Sequence, residues 1–373
     1  LAQHALPAAN KRKKTVVGES GDDEELDIPS EDELAKIHPS LRTESSFTFH
    51  RFGAGPEFAQ WKESIFPKEK SESERTNNQD SNRRHSIPKG IGELTLIESK
   101  RNTPPLFGMG LIDAIPEKVL DEVAVEQALA SRDEPLTSDS GALPVRGRVA
   151  LLKDGRVGKF GWKAGVASLR EFTLQACSSE LGLEVPGFHR AAPPWKSAYK
   201  APGIDLTNEQ CDTLTQFVAS LPRPVVRAAD SPEQASEIER GRQLFTSIGC
   251  AVCHRPKLGD VDGIYSDLLL HDVGRGLSDS GSYTVIETEI NSKDKSKQGR
   301  PANELEWRTP PLWGLRDSAP YLHDGRAKTI AKAVELHGGE GLAAAQRHKR
   351  LSEKEREQVE LFLKSLAAPK TVP

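Results

Sequence analysis

Five consecutive residues, Cys250-Ala251-Val252-Cys253-His254, restrict what this chain can fold into more than any other feature of it. Two thiols three positions apart, with an imidazole directly after the second, form the attachment signature of a c-type haem. The spacing has a chemical reason. Each sulfur must reach one vinyl group of the same macrocycle, and the following histidine must bring its ring to the iron as the proximal ligand. The preceding residues 230–248 have helical spacing, with Ser231 as cap ahead of Pro232 and with Ile238, Leu244 and Phe245 as apolar positions. Two other readings of the motif fare worse. A thioredoxin-type dithiol would need a βαβ surround, which the flanking sequence lacks. A structural zinc site would need two further ligands at similar spacing, and there is no second Cys-x-x-Cys.

Composition narrows the class. Hydrophobic residues make up 36% and charged residues 28% of the 373 positions, which is polar for a compact body and implies long solvated segments beside it. The 55 acidic and 51 basic residues leave a net charge of −4, with no basic excess for nucleic acid. No run of about 18 apolar residues is present, so no membrane span is expected. The chain begins at Leu1, which reads as a mature or trimmed product.

Along the chain, residues 1–45 read as a poorly ordered N-terminal segment, with Lys11–Lys14 set against an acidic run at Asp22–Glu25. Residues 68–85 read as a loop or linker. Between them, Phe47, Phe49, Phe52, Phe58 and Trp61 mark an island expected to pack onto the folded body. Helices are expected over 117–131, with Leu120, Val123, Ala124 and Ala128 on one face, and over 165–183, 206–221, 230–248 and 351–366. Thr207 and Ser352 stand where caps belong. Strand alternation is weak throughout.

Two pairs of segments echo one another in the same order. Residues 101–108 (RNTPPLFG) resemble 308–314 (RTPPLWG), and 206–221 resemble 351–366. This argues for duplication, with an insertion around 115–200 in the first copy. The expected architecture is mainly α: two cytochrome-c-like halves with long irregular connections, only the C-terminal half retaining a haem motif. The halves are residues 46–225, without a haem motif, and the c-type cytochrome domain at 230–373.

Residues 307–325 (WRTPPLWGLRDSAPYLHDG) and 333–339 (AVELHGG) resemble the C-terminal haem domain of the bacterial di-haem cytochrome c peroxidase superfamily. Within that superfamily the chain resembles the di-haem oxidoreductase family, sometimes called thiol oxidoreductases. Residues 103–117, 160–187 and 267–274 add to the likeness, which covers roughly 90–368. The resemblance implies a distal ligand shortly after the His-Asp-Gly element. Counting from His323 places it at His337 (337 − 323 = 14), where the superfamily's peroxidases carry methionine. The only methionine, Met109, lies in the other half. His323 and His271 remain alternatives for the distal position. The resemblance also implies that His323 and Asp324 line the haem edge or support the loop geometry, that Arg308 pairs with a propionate through its planar fork or else makes a surface ion pair, and that Trp162 lies near an interhaem path or in the core.

Motif and resemblance together imply one covalently bound haem c, ligated by His254 and His337, with a second haem expected only on further sequence. The function implied is electron transfer within a peroxidase-like di-haem oxidoreductase; the alternative is a mono-haem electron carrier without catalysis. Its partners would be an electron-donor protein or small redox molecule, and peroxide or another oxidant. Haem c attachment implies a periplasmic or otherwise exported protein, in which Cys177 and Cys211 would form a disulfide or stay as buried free thiols.

Overall fold

Small polar side chains start the helices where the sequence offers them. Ser231 accepts the Gln234 backbone N–H at 3.2 Å, with Pro232 in the first helical position. Ser352 and Glu355 cap each other's backbone reciprocally. The computed structural model describes residues 101–134, 141–190, 200–279 and 299–370. Before residue 101 it describes the shorter stretches 2–5, 15–17, 23–25, 31–37, 41, 46–49, 56–65, 83–86 and 95–100. The helices among these residues are α1 (Glu31–Ile37), α2 (Pro56–Ile65), α3 (Met109–Asp113), α4 (Glu117–Ala130) and α5 (Leu169–Ser179). They continue with α6 (Asn208–Ser220), α7 (Pro232–Ser247), α8 (Ile330–Glu335), α9 (Leu342–Arg350) and α10 (Glu353–Ser365). The fold is mainly α, and strands outside the N-terminal stretches are two or three residues long.

Two helices differ from the sequence reading. The helix expected over 165–183 is only α5, because residues 159–166 fold back on themselves, with the Lys159 and Phe160 N–H groups both reaching the Val166 carbonyl. On α4 the buried row is Leu120, Val123 and Gln127, while Ala128 is exposed. An i, i+3, i+7 row brings a polar side chain into the interior, and that is tolerable only because Gln127 is fully hydrogen-bonded there.

The chain forms two compact units. The first comprises residues 1–101, 174–207 and 280–289. It contains an antiparallel four-stranded sheet in the order Ser46–Phe49, Ala2–Ala5, Thr95–Lys100, Arg83–Ser86, which the sequence did not suggest. In α1, Leu34 and Ile37 are buried, and Trp61 of α2 donates its indole N–H to the Ile37 carbonyl at 3.0 Å. Lys11–Lys14, Phe52 and residues 68–82 lie outside the described residues.

The second unit comprises residues 102–173, 208–279 and 290–373. One apolar cluster joins Met109 and Ile112 of α3, Leu120 and Val123 of α4, Phe160, Leu169 and Trp313. A second joins Leu244 and Phe245 of α7 to Val359, Phe362 and Leu363 of α10. Each such side chain contributes about 1.5–3 kcal/mol when fully buried. The two helices approach closely at Gly241, where a Cβ would collide with the Gln358 carbonyl. Leu270–Asp272 pairs antiparallel with Glu306–Arg308, setting His271 opposite Trp307.

Candidate functional site

The Cys-x-x-Cys-His motif begins where α7 ends. Gly249, at φ +95°, turns the chain out of the helix, and Cys250–Val252 form a single 3-10 turn. The His254 N–H closes onto the Cys250 carbonyl at 3.0 Å, which keeps Cys250, Cys253 and His254 on one short turn. All three line a cavity of about 760 Å³. Burial, reinforced by the neighbouring Cys253, pushes the Cys250 thiol up to about 12, and burial raises Cys253 as well. Neither behaves as the low-pKa nucleophile of a redox dithiol, and no bridge joins them.

His254 donates its Nδ1–H to the Tyr265 carbonyl at 3.0 Å. A carbonyl can only accept, so the ring is the tautomer that keeps its lone pair on Nε2. Burial, with His337 nearby, pushes its pKa down to about 4, so the ring is neutral.

His337 stands just past α8, after its capping residue Leu336. Thr329 starts that helix by accepting the Lys332 N–H, and the helix ends at Leu336. The His337 Nδ1–H donates to the Ala333 carbonyl at 2.7 Å, so this ring too keeps its lone pair on Nε2. Burial lowers its pKa. It lines the same cavity as His254.

Arg308 is 3% exposed and also lines the cavity. Its Nε donates to the Gly161 carbonyl at 2.8 Å, while Nη1 has no hydrogen-bond partner. Burial lowers its pKa to about 10, with Asp267 opposing weakly. A buried guanidinium with an unsatisfied donor calls for an anionic partner. The cavity therefore fits a largely apolar ring that carries a carboxylate, attached through two thiols and ligated from two imidazoles.

His323 also borders the cavity. It stacks on Trp307 and holds its Nε2 3.8 Å and 3.9 Å from the Asp279 and Asp324 carboxylates. Trp162 lines the cavity as well, donating its indole N–H to the Asn102 carbonyl at 2.7 Å and accepting the Arg308 backbone N–H. Met109 is buried in the apolar core. Cys177 of α5 and Cys211 of α6 are both buried.

One part of the site was not foreseen. His271 is buried between two carboxylates, Nε2 2.9 Å from Asp267 and Nδ1 2.6 Å from Glu340, and lies 3.8 Å from the Cys253 sulfur. Burial would lower its pKa, but coupling to Cys253 and to the Asp267 carboxylate outweighs that and holds it well above the ordinary value. The Cys253 sulfur, an Asp267 oxygen and a His271 nitrogen lie within 4.8 Å of one another. The signals available were the four-residue step from Asp267 to His271 and a glutamate three residues past His337.

The profile of the family described as "Di-haem oxidoreductase, putative peroxidase" matches residues 54–366. The methylamine utilization protein MauG of Methylorubrum extorquens is 28% identical over 196 residues, covering 49% of this chain and 50% of that protein. The cytochrome-c peroxidase IdrP2 of Denitromonas iodatirespirans is 26% identical over 133 residues, covering 30% of this chain and 35% of that protein. The chain thus spans half or less of these relatives. Among solved structures, a MauG-like protein associated with microbial copper homeostasis is 17% identical, with a TM-score of 0.33 over 72% of this chain and 93% of that one.

Proposed function

We propose, from the premise that this chain belongs to the di-haem oxidoreductase family, that it carries one haem c as the electron-transferring part of a peroxidase-like redox enzyme. Cys250 and Cys253 would hold the macrocycle through thioethers, His254 and His337 would ligate the iron through Nε2, and Arg308 would pair with a propionate. One observation carries the reading. Both imidazoles donate Nδ1–H to a backbone carbonyl, and both line the cavity that holds the two thiols and the buried guanidinium. The other candidates suit the distal position less well. His271 has both ring nitrogens hydrogen-bonded to carboxylates, and His323 is stacked on Trp307.

Haem iron held by two imidazoles would exchange single electrons at a lower potential than with methionine in one position. The chain's own part is to fix both rings by backbone hydrogen bonds, to enclose the ring in apolar walls, and to offer Arg308 to a carboxylate. An electron-donor protein or small redox molecule would lie on one side of the relay, and peroxide or another oxidant on the other.

The 373 residues contain one Cys-x-x-Cys-His, so the second haem of the family would attach on further sequence. The same count favours, as second reading, a mono-haem electron carrier. A two-half architecture has support in local geometry. Gly108 and Gly314 are both left-handed, at φ +66° and +65°, and each starts a short helical turn, α3 or Leu315–Asp317. α3 packs on α6, and the Leu315–Asp317 turn packs on α10. No helix among the described residues is long and apolar enough to cross a membrane; an exported location rests on the chemistry of haem c attachment alone.

The test is a pyridine haemochrome spectrum with iron stoichiometry and ferric spin state, on the parent chain and on His337→Met. One low-spin c-type haem per chain, with a potential that rises in His337→Met, is expected. A high-spin ferric parent would sink the His337 assignment, and a haem-free chain would overturn the whole reading.

A further inference from the structure

The segment after His337 is tied to the body of the second unit at several points. The Gly338 N–H donates to the Val273 carbonyl at 3.1 Å, and the Gly339 carbonyl accepts the Leu143 N–H at 3.1 Å. Gly339 sits at φ +51°, and a Cβ there would collide with the Asp272 carbonyl. Glu340 adds the strongest tie. Its Oε1 accepts the Asp272 N–H at 3.2 Å, and its Oε2 accepts the Arg146 N–H at 2.9 Å and the His271 Nδ1–H at 2.6 Å.

From His271 the connection continues inward. His271 Nε2 meets Asp267 Oδ2 at 2.9 Å, and that same oxygen accepts the Gln127 amide N–H at 2.8 Å. The second hydrogen of that amide goes to the Val252 carbonyl at 3.1 Å, inside the turn that bears Cys250 and Cys253. The Gln127 oxygen accepts the Gly147 N–H at 2.9 Å. An unbroken hydrogen-bonded path, buried at its centre, therefore runs from Glu340, three residues past His337, to the attachment turn. Hydrogen bonds to a carboxylate at each end of a buried imidazole hold its geometry more tightly than bonds between neutral groups.

We propose that Glu340, acting through His271, is a positioning residue that holds His337 at a fixed distance from the attachment turn. The role rests on His254 and His337 being the two iron ligands. Glu340 touches neither the ring nor the iron in this role; it restrains the loop that carries the distal imidazole. Without it, His337 swings away more often and an added ligand enters more readily.

The test uses the haem-loaded chain. Ferric parent, Glu340→Gln, Glu340→Ala and His337→Ala are compared by low-spin fraction and by the rate of cyanide entry. Gln358→Ala, which removes a buried hydrogen-bonding side chain from α10, serves as the control for lost stability alone. Cyanide entry should be roughly tenfold faster or more in Glu340→Ala, intermediate in Glu340→Gln, whose amide oxygen still accepts an N–H, and unchanged in Gln358→Ala. Parent-like entry in Glu340→Ala, beside a high-spin His337→Ala, overturns the positioning role and leaves the ligand reading standing. A His337→Ala chain that stays low-spin removes the ligand reading and this inference with it. If Glu340→Ala yields no folded holoprotein, the same rates in Glu340→Gln decide.

Discussion

Trp307 and His323 lie face to face, with ring centroids 3.7 Å apart and planes within 15° of parallel. Lys163 covers Trp307 as well, its Nζ 3.6 Å from the ring centroid and hydrogen-bonded to the Asn303, Glu304 and Glu306 carbonyls. Trp307 also donates its indole N–H to the Leu277 carbonyl at 2.9 Å. The indole thus carries contacts that a smaller apolar residue cannot replace. Trp307→Leu should lower the unfolding free energy of the haem-loaded chain by about 2–4 kcal/mol. Denaturant unfolding checks this, and a loss of a few tenths would mean the stack contributes little.

Arg308 offers a second test, because its charge is buried and its Nη1 has no hydrogen-bond partner. A positive charge beside the haem carboxylates favours the reduced iron. Arg308→Met should lower the midpoint potential by the equivalent of about 1–2 kcal/mol. Arg308→Lys, which keeps the charge without the planar fork, should fall between. A redox titration of the three chains decides. Equal potentials would mean that the guanidinium faces some other anion.

Gly147 packs against the polar network. A Cβ there would collide with the His271 ring and lie 2.6 Å from the Gln127 oxygen. Neither neighbour can yield, since both are fixed by hydrogen bonds on their far sides. Gly147→Ala should therefore destabilise by about 1–3 kcal/mol, as overpacking does in a filled interior. Thermal unfolding measures this, and an unchanged midpoint would imply that the network is looser than its distances suggest.

The parts of the fold and site legible in the sequence were the local ones. Ser231 and Ser352 announce their helices because a cap acts within four residues, and the haem motif announces itself because its chemistry demands adjacency. The step from His323 to His337 brought a residue into the cavity that also holds His254. The illegible parts depend on distant pairings. The Leu270–Asp272 strand is three residues long and finds its partner at Glu306–Arg308, too short for alternation to register. Gln127 looked like a solvent-facing polar residue, and its burial is acceptable only because Asp267, Val252 and Gly147 surround it. Nothing local in the sequence says that Glu340 and Asp267 would close on His271 from both sides.

That enclosure has a pH signature. The folded state raises the pKa of His271, in the haem-loaded chain through the Asp267 carboxylate because the Cys253 sulfur would be an uncharged thioether, and, through His271 against the opposing effect of burial, lowers that of Asp267. A raised histidine stabilises the fold fully below its ordinary value of 6.5, and the contribution is lost as pH rises through the folded value. A lowered aspartate stabilises fully above its ordinary 3.8, and the contribution is lost as pH falls through the folded value. The pair therefore contributes most between about pH 3.8 and 6.5. His271→Gln leaves two buried carboxylates facing a neutral amide, a change that costs about 3–5 kcal/mol where a buried pair is broken from one side. The difference in unfolding free energy between the haem-loaded parent and His271→Gln should be largest in that window and shrink steadily above pH 6.5. Because it is a difference between two chains, the other titrating groups largely cancel. A gap that stays constant from about pH 5 to 9 would mean that His271 is held by shape and neutral hydrogen bonds rather than as an imidazolium.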